Sequence, residues 1–220
     1  TWRTPFDPFR LGHDHNTAND FTEGNAFQYT WHVLQDPEGL IAAMGGRASF
    51  VKRLDALFAQ PERTEDMGFV SDVTGLIGQY AHGNEPSHHV AYFYALAGRP
   101  DRTAEVIREV CDRFYGVKPG DLCGNDDCGQ MSAWYVFAAM GFYPFNPCSG
   151  EYVLGAPQFP EVKLALPNGK SFRVVAKNLS RANKYVQSVS LNGKLLAGCG
   201  LKHADVVAGG ELVFEMTDRR

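Results

Sequence analysis

The stretch Glu161-Val162-Lys163-Leu164-Ala165-Leu166-Pro167-Asn168-Gly169-Lys170, continued by Ser171 to Ala176, decides the fold class. Val162, Leu164 and Leu166 point one way and Lys163 and Ala165 the other, the period of two that belongs to a half-buried strand. Pro167-Asn168-Gly169-Lys170 then carries the turn chemistry of a hairpin. Further along, Tyr185 to Leu191 runs into a second Asn-Gly turn at Asn192-Gly193, and Leu212, Phe214 and Met216 alternate with Glu211, Val213 and Glu215. From about Gly150 onward the chain therefore reads as antiparallel strands. A small sheet of this kind needs cover for its apolar face and protection for its edges. It is expected either to pack on helices or to be completed by an N-terminal region.

Before Gly150 the period changes to that of a helix. Phe50, Val51, Leu54, Leu57 and Phe58 form one stripe; Val106, Ile107, Val110, Cys111 and Phe114 form another. Gly45-Gly46, Gly98 with Pro100, and Gly116 mark the stops. Short polar connections such as Gly98-Arg99-Pro100-Asp101 favour helix hairpins. Helices first and strands afterwards give an α+β fold in two parts, 1–150 helical and 151–220 β-rich.

Hydrophobic residues at 44% and charged residues at 21% exclude disorder as the main state. Lysine and arginine number 21 against 25 acids, a net charge of −4, which argues against nucleic acid or an anionic membrane as partner. The longest apolar run, Ala133 to Phe145, is broken by Gly141 and Pro144 and is too short to span a bilayer. No signal peptide opens the chain, and Thr1 is not an initiator Met, so a processed protein or a piece of a longer one is expected. The five cysteines match no zinc template; at most a local disulfide is expected, with Cys123 and Cys128 as one candidate pair. Asn178-Leu179-Ser180 is a glycosylation sequon, relevant only to a secreted eukaryotic protein.

Three polar clusters stand at helix entries. In Thr22-Glu23-Gly24-Asn25-Ala26-Phe27-Gln28-Tyr29-Thr30-Trp31, helical spacing would put Glu23 on one face with Phe27 and Trp31, desolvating its carboxyl as a general acid requires. The plainer alternative is a first-turn acid favoured by the helix dipole, with both rings in the core. In Gly83-Asn84-Glu85-Pro86-Ser87-His88-His89, Asn84 or Glu85 could simply cap a helix with Pro86 in its first turn. An adjacent amide and carboxylate also suit an oxygen-loving cation such as calcium. In Gly124-Asn125-Asp126-Asp127-Cys128-Gly129-Gln130-Met131-Ser132-Ala133-Trp134, Asp127 and Gln130 have capping-box spacing. Capping leaves the paired carboxylates unexplained. Separated carboxylates, a cation candidate and many aromatics together make the inventory of a glycosidase.

The same runs, with Gly39-Leu40-Ile41, Met44-Gly45-Gly46, Gly141-Phe142-Tyr143-Pro144, Gly150-Glu151-Tyr152, Leu166 to Lys170 and Leu191-Asn192-Gly193, resemble glycoside hydrolase family 92 in order along nearly the whole chain. Its members are exo-acting, calcium-dependent, inverting α-mannosidases with an (α/α)6 barrel beside a β-sandwich. The resemblance implies that 1–150 contribute barrel helices and that 151–220 pack on a sandwich from a missing N-terminal region. It implies Glu23 as general acid and Asp127 as general base, with Asn125 or Asp126 orienting the water, and Glu85 with Asn84 as calcium ligands. Gln28, Trp31, His88, His89 and Trp134 would bind the sugar. Mannose-containing glycans or glycoproteins are the expected substrates, α-1,2-linked mannose foremost, and the location is expected to be secreted, periplasmic or cell-surface. The alternatives are a non-catalytic carbohydrate-binding module, another (α/α)6 glycosidase, or a zinc hydrolase using His82, His88 and His89.

Overall fold

The first two helices start where a side chain takes up backbone N–H groups lacking a helical partner. The computed structural model describes residues 6–11, 20–62, 70, 72–118 and 120–220. They form two compact units, one of residues 1–90 with 114–131, the other of 91–113 with 132–220.

In the first unit, Asn25 caps α1 (Ala26–Tyr29) and Asp36 caps α2 (Pro37–Ala43), which begins on Pro37 and stops before Gly45-Gly46. Helix α3 (Arg47–Ala59) buries Phe50, Leu54 and Leu57, the stripe expected from the sequence. A tight hairpin follows, β1 (Leu76–Ile77) against β2 (Tyr80–Ala81), which no alternation announces. Gly78 at its first turn position has φ +61, the sign a two-residue hairpin turn requires there. A 3-10 turn at Glu85–Ser87, with Pro86 inside it, replaces the helix expected at that place.

In the second unit, α4 (Phe93–Leu96) leads to α5 (Pro100–Phe114). Thr103, wholly buried, ties the two: its Oγ1 accepts from the Ala95 N–H and donates to the Ala91 carbonyl, both at 2.9 Å. The predicted stripe Val106, Ile107, Val110, Cys111 and Phe114 is buried throughout. Helix α6 (Gln130–Met140) ends at Gly141, whose φ of +94 and contacts with Pro157 and the Phe214 ring leave no room for a side chain.

Two sheets complete this unit. Strands β3 (Phe142–Tyr143), β4 (Glu151–Leu154) and β9 (Gly200–Lys202) form an antiparallel sheet in the order β3-β4-β9. The larger sheet has the order β5-β6-β10-β7-β8, from β5 (Glu161–Ala165), β6 (Ser171–Lys177), β7 (Tyr185–Leu191), β8 (Lys194–Leu195) and β10 (Gly210–Thr217). Both expected hairpins form, with Ala165 opposite Ser171 and Leu191 opposite Lys194. The antiparallel expectation needs one correction: β10 runs parallel to β6, with Leu212 opposite Val174, so the sheet is mixed.

Phe172, Val174, Leu212, Phe214 and Met216 on its inner face pack with Met140, Phe142, Leu154, Leu201 and Val206. The last sits on the short α7 (His203–Ala208). The outer face carries Arg173 paired with Glu161 and Glu211, and Lys177 with Glu215. Exposed pairs of this kind add little stability, but they keep the face polar. All five cysteines are free thiols, so the Cys123–Cys128 pairing is not made. Among the described residues no helix is long and apolar enough to cross a membrane.

Candidate active site

Glu23 does not share a helix face with Phe27 and Trp31. Helix α1 starts only at Ala26, and Glu23 precedes it in a left-handed conformation, φ +50. Phe27 packs on Phe9 with ring centroids 4.7 Å apart, and Trp31 sits edge-on to Phe50 at 5.4 Å. Glu23 is half-buried and held through its backbone: its carbonyl accepts from Asn84 Nδ2 at 2.8 Å. Tyr29 lies close by; burial and the Glu23 charge push its phenol upward.

Asn84 stands at the start of the 3-10 turn without a side-chain cap bond, and its Nδ2 donates to the Glu23 carbonyl. Burial raises the Glu85 carboxyl, and the neighbouring Asp127 carboxyl, together with the charge of Asp72, raises it further. Two neighbouring carboxylates repel each other, a cost that a cation between them would relieve. Asp72 in turn accepts from Asn125 Nδ2 at 3.2 Å.

The third cluster is a backbone knot rather than a capping box. Asp127, Cys128 and Gly129 have φ of +47, +59 and +97 in succession. Helix α6 begins at Gln130 itself, so Gln130 stands at the first helical position, two residues short of the third position a capping box with Asp127 needs. Its side-chain Nε2 stands 3.2 Å from His88 Nδ1 instead. Asn125, Asp126 and Asp127 are exposed. A Cβ on Gly83 would stand 1.9 Å from Thr74 Oγ1 and one on Gly124 3.0 Å, so the second and third clusters meet around Thr74. That hydroxyl is buried with no hydrogen-bond partner.

His82, His88 and His89 lie behind this surface. His88 Nε2 is 3.0 Å from the His82 carbonyl and His89 Nε2 is 2.7 Å from the Trp31 carbonyl. A carbonyl only accepts, so both nitrogens carry the proton. Burial brings both imidazoles down to about 4 and His82 well below its usual range. His82 is held between the hydroxyls of Tyr80, 2.8 Å away, and Tyr115, 2.7 Å away. These bonds already engage both ring nitrogens of His82 and His88, the ligands a zinc site would need. Among the described residues no three His, Cys, Asp or Glu side chains converge as a metal cluster. A cation here would need amide, hydroxyl or backbone oxygens as well.

The structure thus brings Asp72, Asn84, Glu85, Asn125, Asp127, His88 and Gln130 into one neighbourhood and ties Glu23 to it through Asn84. The side chains expected to touch sugar are placed otherwise: Gln28, Trp31, His88, His89 and Trp134 are at most 5% exposed. The Gln28 amide serves Asn25 N–H and the Gln79 carbonyl, and Trp134 is wholly buried in the second unit. Asp72, Thr74 and Gln79 escaped the sequence reading. They lie outside any chemical motif, and only the glycines facing Thr74 hinted at a close approach.

Residues 1–218 match the model of the Glycosyl hydrolase family 92 catalytic domain. The chain is 43% identical to a family GH92 α-mannosidase of Bacteroides thetaiotaomicron solved with mannoimidazole, TM-score 0.92, covering 100% of this chain and 29% of that one. It is 39% identical to a family GH92 inverting mannosidase of Bacteroides thetaiotaomicron VPI-5482, TM-score 0.83, covering 100% and 30%. An uncharacterized secreted glycosidase of Arthroderma benhamiae is 32% identical over 201 residues, 90% of this chain and 24% of that protein. The chain therefore spans less than a third of the length of each.

Proposed function

The chain belongs to glycosyl hydrolase family 92, and from that premise we propose that it carries the acid, base and cation-binding segments of an exo-acting, inverting α-mannosidase. Support comes above all from one observation: the loops bearing Glu85 and Asp127 meet where Gly124 stands against the Gly83 carbonyl, while Asn84 beside them holds the backbone of Glu23.

In this reading Glu23 protonates the leaving glycosidic oxygen, and Asp127 takes the proton of a water attacking the opposite face, oriented by Asn125 and Asp126. His88, neutral and close enough to feel the Asp127 charge, backs the base. Trp31, Gln28 and His89 shape the sugar pocket from behind rather than lining it. For inversion the Glu23 and Asp127 carboxyl groups should lie roughly 6.5–9.5 Å apart with substrate bound.

A calcium ion fits the oxygen donors present. The neighbouring Glu85 and Asp127 carboxylates, the Asn84 amide and the partnerless Thr74 hydroxyl are what an oxygen-coordinated cation would relieve. Glu85 and Asn84 would hold it, and when bound it would supply positive charge to sugar hydroxyl oxygens. The helices would belong to an (α/α)6 barrel, and an N-terminal β-sandwich would complete the enzyme. Terminal α-1,2-linked mannose on N-glycans is the proposed substrate, and an extracellular location follows the secreted relative.

The test is mannose release from α-1,2-mannobiose by the full-length enzyme, with calcium or a chelator, with the new anomer read by NMR. Calcium-dependent release of β-mannose is expected, falling by about 10²–10⁴-fold in Glu23→Gln. Release of α-mannose would overturn the inverting assignment. Sugar binding without turnover would leave a carbohydrate-binding module.

A further inference from the structure

Gln79 is almost wholly buried, 1% exposed, and every polar group it has is used. Its Oε1 accepts from Asn25 Nδ2 at 2.8 Å and its Nε2 donates to the Pro61 carbonyl at 2.8 Å. Its backbone N–H donates to the Leu57 carbonyl at 2.9 Å, and its carbonyl accepts from Gln28 Nε2 at 3.1 Å. The amide orientations are forced. Asn25 Oδ1 already accepts from the N–H groups of Phe27 and Gln28, so Asn25 Nδ2 must be the donor and Gln79 must answer with oxygen. The other end of the Gln79 amide then donates to a carbonyl, which can only accept.

Glu23 stands two residues before Asn25, in a left-handed conformation that a side chain adopts only when its surroundings hold it there. Between them, Gly24 is pressed against Tyr29 and Gln28, where a Cβ would come 2.8 Å from the Tyr29 ring. The segment is anchored by the Glu23 carbonyl on Asn84 and by Asn25 on Gln79, with a longer bond from Asn25 Nδ2 to the Phe9 carbonyl at 3.4 Å. Through the second anchor the end of α3 is connected to the residue that carries the acid.

We propose that Gln79 is a positioning residue for Glu23, fixing the backbone at Asn25 so that the Glu23 carboxyl meets the leaving oxygen. The inference rests on the reading of Glu23 as general acid. Displacing an oriented group by about 1 Å can cost on the order of 10²-fold. The loss falls on the proton-transfer step, so it depends on the leaving group.

The test compares the full-length enzyme with Gln79→Met, which removes both side-chain hydrogen bonds at similar volume. The substrates are α-1,2-mannobiose, whose leaving sugar needs a proton, and 2,4-dinitrophenyl α-mannoside, whose leaving group does not. Gln79→Met should lower kcat on mannobiose by roughly ten- to a hundredfold while changing the dinitrophenyl rate by less than about threefold. A merely structural role would reduce the active fraction and lower both rates together, leaving their ratio unchanged. If Gln79→Met does not fold, Gln79→Glu keeps the acceptor for Asn25 but turns a carboxylate oxygen toward the Pro61 carbonyl, and the same ratio is read. An unchanged ratio in the folded variant overturns the proposal. Glu23→Gln separates the two readings: if it shows no leaving-group dependence, the acid assignment falls. If it does and the Gln79 variant does not, only the positioning role falls.

Discussion

His89 shows how one buried imidazole couples the stability of this site to pH. Its Nε2–H is committed to the Trp31 carbonyl, and burial brings it from 6.5 to about 4. The folded state therefore resists a proton that the unfolded chain accepts. Its contribution is fully present above pH 6.5 and is lost as the pH falls from there towards 4, at most on the order of 3 kcal/mol. His89→Gln, which keeps a donor for the Trp31 carbonyl but cannot titrate, should flatten the fall in stability between pH 7 and 4.5 by about one proton. Denaturant unfolding at a series of pH values checks this; an unchanged slope would mean that His89 is solvated in the native state. The same residue was legible in the sequence only as one of a pair. His88 and His89 stand adjacent, yet one faces the His82 carbonyl and the other Trp31. Spacing on the chain could not tell which would be a neighbour of Asp127 and which would be core.

The β1–β2 hairpin is the element on which the positioning of Glu23 depends, and Gly78 is its weak point. At φ +61 it has the end of α3 against it: a Cβ would lie 2.5 Å from the Leu57 carbonyl oxygen and 2.6 Å from the Phe58 carbonyl. Both neighbours are backbone and cannot rotate away. Gly78→Ala should cost at least about 2 kcal/mol from left-handed strain and overpacking, measured by chemical denaturation; a cost below about 0.5 kcal/mol would show that the hairpin lifts off α3 freely. This hairpin was invisible in the sequence because its strands are two residues long and have no alternation to display. By contrast α3, α5 and the β5–β6 and β7–β8 hairpins were legible, since local period and Asn-Gly turns specify them. Helix α1 misled. Thr30 Oγ1 donates to the Ala26 carbonyl at 2.6 Å, and the chain leaves helical geometry before Trp31, so i, i+4 spacing has no meaning there. The parallel β6–β10 pair was likewise hidden, because a pairing between distant segments leaves no local mark. Glu23, Glu85 and Asp127 stand out by the company they keep in sequence, whereas Asp72, Thr74 and Gln79 come into view only through tertiary contact.

At the scale of the whole molecule, the change of period near Gly150 is not where the core divides. The inner face of the five-stranded sheet is closed by Met140 and Phe142, which precede that point, as well as by Leu154, Leu201 and Val206. Phe142 also pairs with Leu154 as the edge of the three-stranded sheet. Farther upstream, Ala104 packs with Ala156 and Tyr185, and the Tyr185 hydroxyl donates to Glu105 at 2.7 Å. A polypeptide of residues 151–220 loses Met140, Phe142, Ala104 and Glu105 and every contact they make. Two large buried side chains are worth about 1.5–3 kcal/mol each, and the hydrogen bond about 1 kcal/mol. Their sum, about 4–7 kcal/mol, reaches the whole stability of an ordinary small domain, about 5–15 kcal/mol. A polypeptide of residues 91–220 retains every one of them. It should therefore unfold in a single cooperative transition with dispersed amide NMR signals, while 151–220 should show neither. A cooperative transition in the shorter piece would mean that the sheet closes its apolar face without Met140 and Phe142, and that the strand-rich segment is a folding unit in its own right.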